Sequence, residues 1–219
     1  MIKSGSDYTR ADIPRTRGET RKMQSKGYLF LKRLGDILIS GLFLILLSPV
    51  FAAITLWIKA DSKGPVFFRQ KRVGKGKTHF MIVKFRTMYT SAPKDMPTHL
   101  VQNSGSMITK AGRILRKTSL DELPQLWNIL KGEMSLVGPR PALYNQYDLI
   151  AERDKYKAND VRPGLTGLAQ ISGRDELEIA TKARRDGEYI ASMSALTDIS
   201  ILLRTFLSVL RHEGVRDNA

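Results

Sequence analysis

The sequence predicts an α/β domain carried on a re-entrant N-terminal membrane helix, with amphipathic helices along the membrane interface. Three observations predict it. An apolar run from Leu34 to Ile58 is broken at Ser48-Pro49 and flanked by basic residues on both sides. Strand-like alternation around a tight turn follows between Gly64 and Arg86, and helix-period apolar residues recur through the second half of the chain. The expected organisation is a flexible basic arm over 1–27, the re-entrant helix over 28–59, one domain over 60–214 and a tail over 215–219.

The formal net charge of +15 points to an anionic partner: acidic lipid headgroups, phosphorylated substrates or nucleic acid. The absence of cysteine excludes disulfides and thiolate nucleophiles, and leaves a metal ion to oxygen ligands or the three histidines. The arm is polar and without apolar period. It either touches an anionic membrane surface or serves solubility alone.

An apolar run longer than about 18 residues is membrane-helix material. Its distance from the N-terminus and the lack of a small-residue cleavage site after it argue against a signal peptide. Asp36 at one end and Ser48-Pro49 near the middle argue against a plain crossing, because proline removes a helix hydrogen bond and kinks the axis. Lys26, Lys32 and Arg33 precede the run, and Lys59, Lys63, Arg69, Lys71 and Arg72 follow it. Since positive charge stays cytoplasmic, a helix that dips in and returns accounts for both flanks better than one that spans.

Gly64 to Gln70 reads as a turn into a strand, Gly74 to Lys77 as a tight turn and His79 to Arg86 as a second strand. Lys84 and Arg86 then share one strand face, either as solvated cations or as anion ligands. Ser91 to Ser106 reads as a loop, with His99 incidental in it, and Met107 to Lys117 as a basic helix that delivers Arg113 and Arg116 to the stretch that follows.

That stretch, Thr118 to Leu130, sets the adjacent carboxylates Asp121 and Glu122 at the start of a helix whose apolar face is Leu123, Leu126, Trp127 and Leu130. Pro124 is tolerated there because the first helical amides lack partners. Two readings stand. Ser119 and Glu122 fit a capping box and Asp121 a simple cap; alternatively, paired acids beside cations serve phosphate chemistry.

Glu133 to Val137 is strand-like and runs into Gly138-Pro139-Arg140-Pro141, where two prolines stiffen the backbone that carries Arg140. That arginine is either exposed on a rigid turn or a phosphate clamp. A mixed-charge helix over Tyr144 to Ala158 leads to Arg162-Pro163-Gly164 and a glycine-rich stretch ending in Gly173-Arg174, in which glycines would let backbone approach a ligand and Arg162 and Arg174 are further phosphate ligands. No Walker or dinucleotide glycine pattern is present. From Leu196 to Arg211, Ile199, Leu202, Leu203, Phe206, Leu207 and Leu210 fall on one helix side, suited to core packing or to a membrane surface.

Over residues 28 to 214 the chain closely resembles the bacterial sugar transferase family, the monotopic phosphoglycosyl transferases that begin glycan assembly on a polyprenol phosphate. The resemblance rests on Lys32-Arg33 through Asp36, Ser48-Pro49, Lys84-Phe85-Arg86-Thr87-Met88, Ser119 to Leu123, Gly138 to Pro141, Arg162-Pro163-Gly164 and Gly173-Arg174. It implies a small cytosolic catalytic domain at the cytoplasmic face of the bacterial inner membrane. It implies Asp121 as nucleophile, Glu122 as a Mg²⁺ ligand, Arg116, Arg140 and Arg174 on phosphate, and the helix break at Ser48-Pro49. A UDP-sugar would be the donor and undecaprenyl phosphate the acceptor, in a ping-pong reaction that releases UMP. Anionic lipids and downstream glycosyltransferases would be the partners. Leu168, where an aromatic is frequent, and Ser172, where Asn is frequent, depart from the pattern without removing a proposed catalytic group. A noncatalytic membrane scaffold is one rival reading. A membrane-tethered nucleic-acid binder is another, but no helix-turn-helix or aromatic RNA-binding signature supports it and it leaves the paired acids without a purpose.

Overall fold

The computed structural model describes residues 26–93, 104–173 and 177–210. Most of the N-terminal arm, His99, Arg174, Arg211 and the tail lie outside the described residues.

The apolar run folds as two helices, α1 (Lys26–Leu46) and α2 (Ser48–Asp61), which meet at a bend of 61°. Pro49 sits in the first turn of α2, where its missing N–H breaks no intrahelical bond, so the proline starts a new axis. No single helix among the described residues is long and apolar enough to cross a membrane; the bent pair passes that test only together.

Both arms of the bend dock on the same domain. On α1, the Tyr28 hydroxyl and the Lys32 ammonium donate to Asp198 at 2.9 and 2.7 Å. Asp36 accepts the Leu136 N–H at 3.0 Å, which explains a carboxylate at the edge of an apolar run: it is buried against protein. On α2, Ile54 and Ile58 pack with Phe85 and Leu115, and Asp61 accepts the Ala111 N–H. Between these anchors Leu42, Phe43, Ile45, Leu46 and Val50 are exposed.

The expected hairpin forms from β1 (Phe67–Val73) and β2 (His79–Phe85), antiparallel with Phe67 opposite Phe85 and Val73 opposite His79. Phe80 and Ile82 point into the main core, where they meet Leu126, Ile129, Met134, Val137, Tyr189 and Ile201. Helix α3 (Lys110–Lys117) is capped by the Thr109 side chain, which accepts the Gly112 N–H. Gly112 lets α3 lie directly on the end of the hairpin, since a β-carbon there would come within 2.0 Å of the Thr87 carbonyl oxygen.

Helix α4 (Gln125–Lys131) corrects the expected apolar face: Gln125, Leu126, Asn128 and Ile129 are buried, and Trp127 is 51% exposed. The cause is a polar anchor. Asn128 accepts the Val83 N–H and donates to the Met81 carbonyl, tying α4 to the edge of β2.

Strands β3 (Ser135–Val137) and β4 (Gly164–Thr166) form a parallel pair. Gly164 allows it, because a β-carbon there would lie 2.1 Å from the Gly138 nitrogen. Glycines at 138, 164 and 167 thus bring backbone against backbone, and Gly167, for which the sequence suggested approach to a ligand, meets the Gly138 carbonyl instead. Helix α5 (Tyr147–Asp154) is shorter than its expected span, and α6 (Ile179–Ser192) was not foreseen. Helix α7 (Ala195–Leu210) docks through Asp198, Ile201 and Thr205, whose hydroxyl shares a 2.7 Å hydrogen bond with Thr166. Of its expected apolar side Leu202 packs on the main core, while Ile199, Leu203, Phe206 and Leu207, with Leu196, face outward, so core packing uses only the edge of that stripe.

Candidate active site

The turn that carries the two carboxylates is built by local strain and anchored by one leucine. Ser119 adopts the left-handed region at φ 56°, which ends the preceding helix and starts a 3-10 turn over Leu120–Glu122. Leu120 packs against the cluster of Ile54 and Ile58 of α2 with Phe85 and Leu115. The residue beside Asp121 therefore rests on the second arm of the bent helix pair.

This geometry excludes the capping box. Ser119 makes no capping hydrogen bond, the acids lie in the 3-10 turn, and α4 begins only at Gln125 with Pro124 at its cap position. The acids thus stand ahead of the observed helix N-terminus, not at it as the sequence suggested. Glu122 turns instead toward cations: its Oε1 accepts from Lys84 Nζ at 2.6 Å and from Arg140 Nη2 at 2.9 Å. Burial would raise its pKa, but Arg140 and Lys84 outweigh burial and hold it well below the usual carboxylate range.

Asp121 is buried, and among the described residues no group donates a hydrogen bond to its carboxylate. Burial pushes its pKa up to about 6, with the Glu122 charge adding to the rise and Lys84, Arg116 and Arg140 opposing it. Adjacent residues in sequence are thus driven apart in acidity by their surroundings, one kept ionised and the other poised near neutrality. A poised carboxylate without hydrogen bonds, facing cations, suits nucleophilic attack or proton transfer at a phosphate.

The cations arrive from separate elements. Lys84 comes from the face of β2 that also carries Ile82. Arg116 ends α3, its Nε donating to the Thr87 hydroxyl at 2.9 Å. Arg140 stands between its prolines, and its own carbonyl accepts from Arg153 Nη1 at 2.8 Å. Arg153 is in turn paired with Asp186 at 2.6 Å, both buried, so α5 and α6 hold the backbone of the clamp.

Other residues expected at the site stand elsewhere. Arg86 is buried and donates to the Ser62 carbonyl at 2.7 Å and to the Lys63 carbonyl, bracing the chain between α2 and β1. Arg162 donates to the Gly132 carbonyl at 2.8 Å beside Arg33, which donates to the carbonyls of Ile129 and Leu130. Arg33 therefore satisfies C-terminal carbonyls of α4, and Arg162 the carbonyl of the glycine that caps it. Arg174 lies outside the described residues, and Ser48 and Pro49 stand at the exposed bend. Arg153, Asp186, Thr87 and Asn128 are positioning groups that sequence reasoning missed.

No cluster of three or more His, Asp or Glu side chains suited to a metal ion occurs among the described residues. The two adjacent carboxylates do fit a hard cation that takes one or two protein oxygens and completes its shell from substrate phosphate and water. Both ion pairs of Glu122 fall on Oε1, so Oε2 keeps its acceptor capacity.

Comparison with known proteins gives a consistent result. The model of the family described as bacterial sugar transferase matches residues 27–212. The chain is 36% identical to the exopolysaccharide production protein ExoY of Sinorhizobium fredii, with 84% of this chain and 87% of that protein covered. It is 42% identical to the UDP-glucose:undecaprenyl-phosphate glucose-1-phosphate transferase of Caulobacter vibrioides, covering 82% of this chain and 69% of that one. It is 37% identical to the UDP-N-acetylgalactosamine-undecaprenyl-phosphate N-acetylgalactosaminephosphotransferase of Aeromonas hydrophila, covering 86% of this chain but 46% of the relative.

Proposed function

The chain belongs to the bacterial sugar transferase family, and from this we propose that it moves a sugar 1-phosphate from a UDP-sugar to undecaprenyl phosphate, releasing UMP. The observation that carries the mechanism is Asp121: a buried carboxylate with no hydrogen-bond donor among the described residues, facing Lys84, Arg116 and Arg140 beside an ionised Glu122.

In the first half-reaction an Asp121 oxygen attacks the phosphorus that bears the sugar. The bond to the UMP oxygen breaks, UMP leaves with the electron pair, and an acyl phosphate joining the Asp121 carboxyl to the sugar remains. In the second, an oxygen of undecaprenyl phosphate attacks the same phosphorus and the carboxylate leaves. Like-charge repulsion between carboxylate and diphosphate opposes the first step, and guanidinium groups of Arg116 and Arg140 offset it while binding the oxygens on which charge builds. Glu122 would hold Mg²⁺ with substrate oxygens, and the ion would neutralise diphosphate charge when bound. Glu122 also holds Lys84 and Arg140 in place before substrate arrives.

Release of UMP from a panel of UDP-sugars, N-acetylated and simple hexoses both included, tests the reading. Wild-type protein should release UMP from at least one sugar, in a Mg²⁺-dependent manner. No release from any of them, or full activity in excess chelator, contradicts it.

The docking of α1 and α2 supports a reading of the membrane topology. Tyr28, Lys32, Arg33 and Asp36 touch the same domain as Ile54, Ile58 and Asp61, which supports a re-entrant pair with only its tip in the bilayer. A crossing would carry one set of contacts to the far side. Outward-facing Leu196, Ile199, Leu203, Phe206 and Leu207 of α7 suit a helix resting on the same cytoplasmic surface of the inner membrane. Single cysteines replacing Lys26 and Lys63 in this cysteine-free chain should be labelled by an impermeant reagent only after the cytoplasmic side is opened. Labelling from opposite sides would overturn the topology.

A further inference from the structure

Trp127 is a large aromatic side chain left 51% exposed in the middle of a helix that otherwise feeds the core. It belongs to a stripe. Leu123, Trp127 and Leu130, spaced four and three apart, lie across the helical surface from buried Gln125, Asn128 and Ile129, with Leu123 and Leu130 partly exposed. The backbone is already helical at Leu123, whose carbonyl accepts the Leu126 N–H, so the three side chains follow one surface for about two turns.

The two ends of the stripe meet different parts of the molecule. At one end Leu123 adjoins Glu122 and Asp121. At the other, Leu130 lies against α1, where a β-carbon on Gly41 would be 4.0 Å from Leu130 Cδ2, and Arg33 of α1 donates to the Leu130 carbonyl at 2.9 Å. Just beyond Gly41 come the exposed apolar residues Leu42 and Phe43 of the membrane tip. The stripe is therefore an apolar bridge from the membrane-inserted helix to the acidic turn.

We propose that Leu123, Trp127 and Leu130 seat the phosphate-proximal isoprene units of the polyprenyl acceptor, guiding its phosphate from the bilayer to Asp121. This rests on the transferase reading above and adds the residues that recognise the acceptor's hydrocarbon. A chain whose phosphate reaches a buried carboxylate must draw several isoprene units out of the bilayer, and an apolar track keeps them from water. The flat indole face matches the planar, methyl-bearing alkene units better than an aliphatic side chain would. None of the proposed donor contacts involves the stripe, so its loss should fall on the second half-reaction.

The test separates the half-reactions in detergent solution, where membrane anchoring is not limiting. Trp127→Ala should release UMP from a UDP-sugar without acceptor at the wild-type rate within about twofold. Its KM for farnesyl phosphate should rise about tenfold or more, with activity toward butyl phosphate unchanged, and Trp127→Phe should recover most of the loss. In a Trp57→Phe protein, Trp127 is the remaining tryptophan, and farnesyl phosphate should shift its emission in a saturable way. An unchanged farnesyl phosphate KM, an equal loss in both half-reactions or toward both acceptors, or an emission that does not respond to farnesyl phosphate would overturn the proposal. Failure of the parent reading looks different: wild-type protein would release no UMP from any UDP-sugar.

Discussion

Asp121→Asn should lose turnover by on the order of 10⁴-fold or more while raising the melting temperature at pH 8. The first effect follows from removing the oxygen proposed to attack phosphorus. The second follows from burial. Folding raises the Asp121 pKa from 3.8 to about 6, so the folded state holds this proton more tightly than the unfolded chain does. The stability from that preference is present below the unfolded pKa and is lost as pH rises through about 6. At pH 8 the charged carboxylate costs about 2 to 3 kcal/mol, which a neutral amide avoids, so the melting temperature should rise by several degrees. Thermal melts at pH 4 and pH 8 check the sign, since the gain should nearly vanish at pH 4. In the wild type, kcat/KM should fall as pH drops below about 6, when Asp121 of the free enzyme takes up its proton. A variant that loses activity but is destabilised equally at both pH values would point to a structural role for this residue.

Glu122→Gln should lower kcat/KM by on the order of 10²- to 10³-fold, because it removes the carboxylate proposed to hold Mg²⁺ and the counter-charge that holds Lys84 and Arg140. The Mg²⁺ concentration for half-maximal rate should increase. A further signature separates this from general damage. Glu122 is a like charge that raises the Asp121 pKa, and Lys84 and Arg140, once released, would turn to Asp121 and lower it. The acid limb of the residual activity should therefore move to lower pH. Stability should respond oppositely to that of the Asp121 variant. The Glu122 pKa is depressed on folding, so its contribution is present above the unfolded pKa and is lost only as pH falls through the lower folded value. A pH profile that keeps its wild-type acid limb would contradict the coupling between the two carboxylates.

The elements that the sequence announced are those with local signals. The kink at Pro49, the hairpin closed at Gly74 to Lys77, and the stiff Pro139-Arg140-Pro141 turn each follow from residues within a few positions of one another. The adjacency of Asp121 and Glu122 is local in the same way, but Lys84 and Arg140 stand 38 and 18 residues from Glu122 and meet it only through packing. The face of α4 was not, because Asn128 goes inward to satisfy the edge of β2, and no periodicity in apolar residues reports that. Helix α6 was hidden by its own buried face, which holds Ala183, Asp186 and Gly187 beside Tyr189 and Ile190. Its Asp186 is matched by Arg153, 33 residues away, and only tertiary packing reveals that pair. Arg86 and Arg162 look like phosphate ligands in a chain rich in them, yet their guanidinium groups serve backbone carbonyls that the fold leaves open. A count of arginines near a motif does not separate these roles; the partners do. The outward stripe of α7 carried a helical period that a core-facing helix would share, and the distinction came from Asp198, Ile201 and Thr205 taking the docking face.

The covalent step at Asp121 is the centre of this account, and intact-mass measurement with peptide mapping reaches it directly. Wild-type protein incubated with a UDP-sugar that supports turnover, without polyprenyl phosphate, should release about one UMP per active site and gain the mass of one phosphosugar. The adduct should map to Asp121, be absent from Asp121→Asn, and disappear when undecaprenyl phosphate is added. UMP release only in the presence of undecaprenyl phosphate, with no adduct trapped under any condition, would contradict the account in favour of direct attack by the lipid phosphate.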